Sequence, residues 1–345
     1  MSKLRVGLAG YGLVGQRRRK CIDEHPDLEL VAVCDRMFDV EQRSEAGVVY
    51  YKNYERILEH AVDVFYVCLP NDVAPDATIA GLEANAHVFC EKPPGRTCGD
   101  IRRVRAAEAP RPQLKLKYGF NHRYHASVLE ALKLIGSGDL GRVINMRGVY
   151  GKSAFNPWPR EKNGWRTDRE IAGGGILLDQ GIHMVDLMRL FGGEFTDVKS
   201  FVSNTTWNLD VEDNAYALMR SESGVVAMMH STATQWRHRF KLEIFLEGGA
   251  LILSGILSGS KSYGQEKLTI IHREGAANGN PRETTFSYIH DNSWRDEVNE
   301  LTACIVEDKP VEVGTSLDAL RTMELIYRIY CADDEWRERY GLTMA

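Results

Sequence analysis

The first 120 residues alternate short, almost continuously apolar runs with longer amphipathic stretches. A strand that is apolar along its whole length is typical of a parallel sheet with helices on both faces. Crossovers in such a sheet are right-handed, so the pattern predicts an open, doubly wound α/β sheet. The predicted strands are residues 4–9, 28–34, 62–69, 87–90 and 114–119, and the predicted helices run through residues 21–25 and over about 77–84 and 99–109.

After residue 122 the apolar residues alternate with polar ones along longer runs, which is typical of an antiparallel sheet. The predicted strands are residues 216–220, 225–231, 241–246, 250–254, 267–273 and 284–289, and the predicted helices are residues 125–135, 293–307 and 317–337. We therefore predict a Rossmann-type domain at residues 1–122 and an α+β domain with a large open, mainly antiparallel sheet at residues 123–345. This division leaves the C-terminal helix free to pack back on the first domain.

Both faces of the second predicted sheet carry apolar residues. Val225, Ala227 and Met229 point one way, whereas Val226 and Met228 point the other. One face can pack on helices, but a large apolar face left exposed is uncommon in a monomer. We therefore expect a homodimer or homotetramer that forms through the C-terminal sheet.

Composition narrows the class of protein. The chain has 345 residues, 43% of them hydrophobic, and a formal net charge of −5, which argues against a dedicated nucleic-acid binder. No apolar run approaches the ~20 residues that cross a bilayer, and the N-terminus lacks the features of a signal peptide. The seven cysteines are odd in number and show no C-x-x-C spacing, which is typical of free thiols. We expect a cytoplasmic protein without nucleic-acid or membrane partners.

A glycine-rich turn follows the first predicted strand. The segment GYGLVG matches the dinucleotide-binding pattern G-x-G-x-x-G. In that pattern Gly10 permits the tight turn, Gly12 lets the backbone approach a pyrophosphate, and Gly15 lets helix and strand pack closely. Leu13 and Val14 open the helix, whose free N–H groups and dipole favour the charge of the phosphates. The turn therefore predicts a dinucleotide site.

Asp35 lies twenty residues after Gly15, at the end of the second predicted strand. An acid at this position accepts hydrogen bonds from the adenosine ribose hydroxyls and repels a 2′-phosphate. It therefore favours NAD as the cofactor. Arg36 is able to cover a 2′-phosphate, so NADP stays open.

The most basic run of the chain, residues 17–20, follows the glycines. Consecutive positions on a helix point in different directions, so the run cannot form one cationic stripe. We interpret it as a solvated helix face rather than an anion site.

Lys92 follows the fourth predicted strand in the segment Glu91-Lys92-Pro93. Ligands of open α/β sheets bind beyond the carboxyl ends of the strands, so Lys92 is expected to project toward the nicotinamide. A lysine at a strand end is just as often an ordinary surface residue, and the residues alone leave that alternative open. A similar strand end at Pro70 and Asn71 is expected to contact the cofactor.

Three consecutive glycines precede a predicted helix that carries Asp179, His183 and Asp186. On an α-helix these residues lie at i, i+4 and i+7 along one face. An imidazole suits proton transfer from an alcohol, and a carboxylate one turn away can orient it or bind a second hydroxyl. The same spacing fits a buried structural histidine or a metal site. No clear third strong ligand lies nearby, so no metal is expected.

In their order and spacing, GYGLVG, EKP at residues 91–93 and GGGILLDQGIH at residues 173–183 resemble the glucose–fructose oxidoreductase, inositol dehydrogenase and rhizopine-catabolism family, written Gfo/Idh/MocA. The resemblance covers nearly the whole chain and implies an NAD(P)-dependent oxidoreductase. It implies that Lys92, Asp179 and His183 occupy the catalytic positions.

The resemblance also implies further contacts. Many members carry a threonine before the proline in the segment that reads CLPND here and a histidine a few residues later, so this loop departs from the pattern. The implied contacts are Glu91 and Lys92 at the cofactor, Trp165 and Arg166 in the lining of the substrate pocket, and Asn121 and Arg123 near cofactor and substrate at the crossover into the second domain. From its residue type, Tyr124 is also expected to line the substrate pocket.

We therefore expect reversible oxidation of a secondary alcohol on a sugar, cyclitol or nucleotide-linked sugar. His183 would take the hydroxyl proton, Lys92 would stabilise the developing alkoxide, and Asp179 would orient His183 or a neighbouring hydroxyl. Two alternatives stay open. One is NAD-dependent glycoside hydrolysis through transient oxidation, and the other is a regulator that binds a dinucleotide without turnover.

Overall fold

A computed structural model describes residues 2–38, 42–44, 47–154, 164–258, 260–274 and 279–344. The chain forms two compact units. The first comprises residues 1–121, 170–173 and 294–321, and the second comprises residues 122–169, 174–293 and 322–345. The domain boundary predicted at residue 122 stays a prediction.

A seven-stranded sheet forms the centre of the first unit. Its strands are β1 (Leu4–Ala9), β2 (Leu28–Cys34), β3 (Gln42–Arg43), β4 (Val49–Tyr51), β5 (Val64–Val67), β6 (His87–Glu91) and β7 (Leu116–Gly119). The helices between them are α1 (Leu13–Glu24), α2 (Glu55–Leu58), α3 (Ala74–Glu83) and α4 (Cys98–Glu108). The order is β3-β4-β2-β1-β5-β6-β7, and every neighbouring pair is parallel except β3 with β4. The predicted doubly wound parallel sheet is confirmed.

An eight-stranded sheet forms the centre of the second unit. Its strands are β8 (Val143–Gly151), β9 (Phe195–Ser203), β10 (Asn214–Ser221), β11 (Val226–Thr232), β12 (Arg239–Leu246), β13 (Gly249–Ser254), β14 (Glu266–His272) and β15 (Glu283–Tyr288). The order is β15-β14-β13-β12-β8-β11-β10-β9, and only β8 with β11 is parallel. The predicted open, mainly antiparallel sheet is confirmed, although β8 and β9 are missing from the prediction.

The remaining helices are α5 (Ala126–Ser137), α6 (Arg169–Ala172), α7 (Ile182–Gly192), α8 (Ser293–Val306), α9 (Ser316–Cys331) and α10 (Asp334–Tyr340). The single helix predicted over residues 317–337 is wrong, because the chain forms two helices there. Asp333 begins the second one: its carboxylate accepts a hydrogen bond from the Trp336 amide at 2.9 Å, as an N-cap residue does. Within the described ranges, no helix is long and apolar enough to cross a bilayer.

The core of the first unit is built on its central strands. Val6 and Leu8 of β1 and Tyr66 of β5 are all 0% exposed. Val298 and Leu301 of α8 belong to the same apolar cluster, so a helix from late in the sequence completes this core. Burial on both faces requires the continuous apolar runs that the sequence shows.

The two faces of the second sheet differ in exposure. Ala227 is fully buried, whereas its neighbours Val226 and Met228 are 38% and 54% exposed. Leu218 lies opposite Met228 on the paired strand, and Phe201 lies on the next strand along; these two are 50% and 78% exposed. We call Phe201, Leu218, Val226 and Met228 the outer patch.

Arg18 of α1 is completely buried, so the interpretation of the basic run as a solvated face is wrong at this position. Its Nε donates to Glu91 Oε1 at 2.6 Å, and its Nη2 donates to Glu297 Oε2 at 2.5 Å. The rings of Phe89 and Trp294 each lie 4.3 Å from the guanidinium carbon. Burial raises the pKa of Glu297, and the charge of Arg18 opposes that shift. Arg18 therefore neutralises two buried carboxylates.

We predict that Arg18→Met lowers the free energy of unfolding by about 3–5 kcal/mol, because it leaves Glu91 and Glu297 buried without their cation. Urea denaturation followed by circular dichroism measures the change. Lys20→Met is the matched control, since the Lys20 side chain is 77% exposed, and we expect it to change stability by no more than about 0.5 kcal/mol. Equal, small effects of the two substitutions would contradict the role of Arg18.

Candidate active site

The glycine-rich turn between β1 and α1 is closed by backbone packing. Gly10 has a φ of +89°, and a Cβ there would lie 2.2 Å from the carbonyl oxygen of Cys68. A Cβ on Gly15 would lie 1.9 Å from the carbonyl oxygen of Gly10. Neither position can accept a side chain without a shift of the backbone. The tight turn predicted from the sequence is therefore built on these two glycines.

Gly12 has a different environment. It is the N-cap of α1, and no side chain caps the helix at this residue. Apart from its own chain neighbours, no described atom lies within 4 Å of the position that its Cβ would take. Uncapped N–H groups at a helix N-terminus favour an anion, and Leu13 beside them is 70% exposed. This open helix end fits the pyrophosphate of a dinucleotide.

Asp35 follows β2 and is fixed against the same turn. Its Oδ2 accepts a hydrogen bond from the Tyr11 amide at 2.7 Å, and its Oδ1 accepts one from the Met37 amide at 3.0 Å. The residue is partly exposed, and each carboxylate oxygen has a further lone pair for a ribose hydroxyl. Arg36 beside it is exposed. The structure thus brings the predicted acid to the glycine turn.

Glu91 and Lys92 lie at the carboxyl end of β6 in the same unit. Glu91 is buried and is held by Arg18 of α1. Lys92 is partly exposed and is joined to Pro93 by a cis peptide bond. The helix that begins at the glycine turn therefore also fixes the residue that precedes Lys92.

The strand end after β5 has structural contacts. The buried Asn71 donates from Nδ2 to the carbonyl oxygen of Ala172 at 2.8 Å. The carbonyl oxygen of Pro70 accepts hydrogen bonds from the amides of Val73 and Ala74, at 3.1 and 2.9 Å, where α3 begins. The cofactor contacts predicted for Pro70 and Asn71 stay predictions.

In the second unit, Glu212 anchors the glycine run that leads into the next helix. Its carboxylate accepts hydrogen bonds from the amides of Gly175 and Leu177, at 2.8 and 3.0 Å, and from the Tyr330 hydroxyl at 2.7 Å. A Cβ on Gly175 would lie 2.2 Å from the carbonyl oxygen of Glu212, so the close approach requires glycine. Burial raises the pKa of Glu212, and these hydrogen bonds oppose the shift.

The predicted helix is not α-helical throughout. Leu177–Gly181 forms a π-helical turn, and α7 begins after it. Asp179 lies within the π turn and His183 lies two positions after its end, so their spacing differs from that of a regular α-helix. Such turns are frequent at functional sites. The expectation of one shared α-helical face is therefore wrong for Asp179, whereas His183 and Asp186 both lie in α7.

Asp179 lies between two cations. Lys152, the residue after β8, donates from Nζ to Asp179 Oδ2 at 3.0 Å. Arg166 Nε lies 3.3 Å from Asp179 Oδ1, and its guanidinium carbon lies 4.3 Å from the centre of the Trp165 ring. The structure thus brings together three of the predicted site residues, Trp165, Arg166 and Asp179. Lys152 was not a predicted site residue, because the strand that it follows, β8, was itself missing from the prediction.

His183, the second residue of α7, is 5% exposed. Its ring stacks on that of His122, with 3.6 Å between the ring centroids and 14° between the planes. His122 Nε2 and the Tyr150 hydroxyl are hydrogen-bonded at 3.0 Å. Neither His122 nor Tyr150 was a predicted site residue, and no local sequence signal marks their contact with His183.

Arg123 forms a buried ion pair within the second unit. Its Nε and Nη2 donate to the two carboxylate oxygens of Asp186 at 2.7 and 2.6 Å. The Thr322 hydroxyl also donates to Asp186, at 3.2 Å. Asn121 is buried and Tyr124 is partly exposed. The substrate contacts predicted for Asn121, Arg123 and Tyr124 stay predictions.

The site offers a proton acceptor and charged hydrogen-bonding groups. His183 carries the imidazole, and Asp179 with Lys152 presents charges of opposite sign that can bind hydroxyl groups. In the part of the chain that the structure describes, no group of three or more His, Cys, Asp or Glu residues is arranged to hold a metal ion.

Two family models match the chain. The model of the oxidoreductase family with an NAD-binding Rossmann fold matches residues 4–119, and the model of the GFO/IDH/MocA C-terminal domain matches residues 128–252. The glycine turn and Asp35 lie within the first match, and Asp179 and His183 lie within the second. The chain belongs to the Gfo/Idh/MocA family and is an NAD-binding oxidoreductase.

Individual relatives are dehydrogenases. Levoglucosan dehydrogenase of Pseudarthrobacter phenanthrenivorans is 27% identical over 283 residues, which cover 67% of this chain and 68% of that protein. D-glucoside 3-dehydrogenase of Escherichia coli is 33% identical over 211 residues, which cover 58% of this chain and 56% of that protein. The solved structure of levoglucosan dehydrogenase in complex with NADH and levoglucosan has the same fold, with a TM-score of 0.85, 20% identity, and coverage of 97% of this chain and 98% of the other.

The glycines give a paired prediction for cofactor binding. Gly12→Ala should fold normally, because its φ of −66° suits alanine and the space is open, but its methyl group would meet the pyrophosphate. We expect the Kd for NADH to rise about tenfold or more, which is roughly 1.4 kcal/mol of binding. Gly15→Ala should instead lower the thermal midpoint. Fluorescence titration with NADH and thermal denaturation measure the two effects, and unchanged NADH affinity in Gly12→Ala would contradict the assignment.

Proposed function

We propose that the protein oxidises a secondary alcohol of a sugar or cyclitol, free or nucleotide-linked, and that His183 takes the hydroxyl proton. The observation that carries this proposal is the buried His183 imidazole, which follows by two residues a π turn containing Asp179, the aspartate held by two cations. The same chain carries an uncapped helix end suited to a pyrophosphate. A proton acceptor and a dinucleotide site are the two requirements of a dehydrogenase.

NAD, when bound, accepts the hydride from the carbon of the alcohol. The chain would hold it at Gly10, Gly12 and Gly15, with Leu13 and Val14 at the helix end and Glu91 and Lys92 at the strand end. Asp35 would bind the adenosine ribose hydroxyls and disfavour a 2′-phosphate, which supports NAD over NADP. Arg36 is the residue that would accommodate NADP.

The proposed roles divide between the two units. Lys92 would donate to the alcohol oxygen and stabilise the negative charge that develops as His183 removes the proton. Asp179 and Lys152 would bind a neighbouring hydroxyl, because together they offer an acceptor and a donor 3.0 Å apart. Residues 1–122 would then serve as the dinucleotide-binding domain and residues 123–345 as the substrate-binding domain.

The substrate class is supported by the lining and by the relatives. Trp165 offers an aromatic face beside Arg166, and Asp179 adds a carboxylate. An aromatic face next to charged hydrogen-bonding groups suits a ring with several hydroxyls. The names of the two relatives, levoglucosan dehydrogenase and D-glucoside 3-dehydrogenase, describe action on such rings.

The outer patch supports a further proposal, that two or four copies associate through the second sheet. Leu218 and Met228 face each other on neighbouring strands, and both are at least half exposed. A contiguous apolar patch of this kind marks a protein–protein contact.

We also propose a cytoplasmic location, because all seven cysteines are free thiols, as is usual in a reducing compartment.

We predict that His183→Ala lowers kcat by about 10²- to 10⁴-fold and leaves the Kd for NADH unchanged, because the substitution removes the proton acceptor only. NADH absorbance with a panel of glucose, methyl glucoside, levoglucosan and myo-inositol measures turnover. His290→Ala is the matched control, since His290 is exposed. Unchanged turnover in His183→Ala would remove His183 from the mechanism. Release of nitrophenol from nitrophenyl glycosides without NADH accumulation would favour the hydrolase instead.

We predict that Met228→Lys in the outer patch produces a smaller assembly, because association would bury the added ammonium against Leu218 of the same sheet. Light scattering after size-exclusion chromatography measures the mass. Thr284→Lys adds the same charge at an exposed position on β15 and should leave the mass unchanged. An unmodified chain that runs as a monomer would contradict association through this face.

A further inference from the structure

The imidazole ring of His122 lies flat against that of His183. The ring centroids are 3.6 Å apart and the planes are 14° from parallel. Both residues are buried, at 6% and 5% exposure. His122 belongs to a 3₁₀ turn (Asn121–Tyr124) and His183 to α7, so the contact joins two separate elements.

Residues of the second sheet hold the His122 ring in turn. The Tyr150 hydroxyl is 3.0 Å from His122 Nε2. Burial raises the pKa of Tyr150, so this hydroxyl stays protonated and is able to donate. The ring of Phe240 lies edge-on to both, with centroids 6.0 Å from His122 and 5.1 Å from Tyr150. The hydrogen bond and the aromatic contacts restrict rotation of the His122 ring.

A second support comes from His125. Its ring lies edge-on to His122, with 5.3 Å between centroids. His125 Nδ1 is 2.8 Å from Glu266 Oε2, and both side chains are 1% exposed. Glu266 also accepts a hydrogen bond from the Ser127 amide at 2.8 Å, which ties it to the first turn of α5. The ring next to His122 is therefore fixed as well.

We propose that His122 is a positioning residue for His183: its ring, held by Tyr150, fixes the plane of the His183 imidazole in the orientation from which it takes the substrate proton. The proposal rests on the proposed function of His183. A flat ring at stacking distance prevents the neighbouring imidazole from turning about its Cβ–Cγ bond. Orientation matters because a misplacement of about 1 Å at a reacting group can cost on the order of 10²-fold in rate.

Two substitutions of His122 separate the effect of its flat ring from the effect of its side-chain volume. His122→Phe keeps a flat ring of similar size but loses the hydrogen bond to Tyr150, and we expect its kcat to fall about three- to tenfold. His122→Leu removes the flat face, and we expect kcat to fall about 10- to 100-fold with little change in KM. The Kd for NADH should be unchanged in both, since the turn that would bind NADH lies in the first unit. Rescue by phenylalanine is a result that loss of fold alone would not give.

Several outcomes would overturn the proposal. A His122→Leu variant with unchanged kcat contradicts it, and so does an equal fall in kcat in the leucine and phenylalanine variants. A rise in KM at constant kcat would assign His122 to substrate binding instead. If the leucine variant does not fold, Tyr150→Phe carries the test: it removes only the hydroxyl, kcat should fall about three- to tenfold, and unchanged kcat contradicts the proposal.

The His183→Ala variant distinguishes this inference from the proposed function. If His183→Ala has full turnover, the proposed function fails. If His183→Ala is strongly impaired while His122→Leu is normal, only the role of His122 fails.

Discussion

A buried guanidinium connects the parts of the first unit that the proposed chemistry uses. Arg18 belongs to the helix that begins at the glycine turn, and its charge is balanced by Glu91, the residue before Lys92, and by Glu297 of α8. Buried charges are tolerated only when they are paired, so α1 cannot shift without exposing or isolating this guanidinium and its two carboxyl partners. The turn suited to a pyrophosphate and the lysine proposed for catalysis therefore share one rigid frame.

In the second unit, β8 supplies the corresponding frame. Tyr150 near its end holds His122, and Lys152 just after it holds Asp179. Gly148 in its middle lets α7 pack closely, because a Cβ there would lie 2.7 Å from the Met184 sulfur. The single strand β8 therefore contacts both the helix that carries His183 and the groups that surround His183.

Local signals predicted much of this architecture from the sequence. Apolar runs located five of the seven strands of the first sheet and missed the short strands β3 and β4. The turn with Asp35 is a signature carried by a few residues at fixed spacing. The central strand β8 was missed because Gly148 interrupts its apolar pattern. Gly148 is small because α7 packs against it, a requirement that only the folded chain reveals.

Other features depend on partners far along the chain. Arg18 in a basic run resembles a solvated residue, and its partners Glu91 and Glu297 are 73 and 279 positions away. The stacking of His122 on His183 likewise cannot be predicted from the spacing of the two residues in the sequence. The π turn before His183 changes an α-helical spacing, and the periodicity of the sequence does not predict such a turn.

The proposed reaction requires Lys92 and His183 to act on the same oxygen atom of the substrate. A crystal structure of the protein with NADH and a sugar that it oxidises tests this requirement most directly. We expect Lys92 Nζ and a ring nitrogen of His183 to lie within about 3 Å of one hydroxyl oxygen. A bound sugar that meets these two groups at different oxygen atoms, or meets only one of them, would contradict the account.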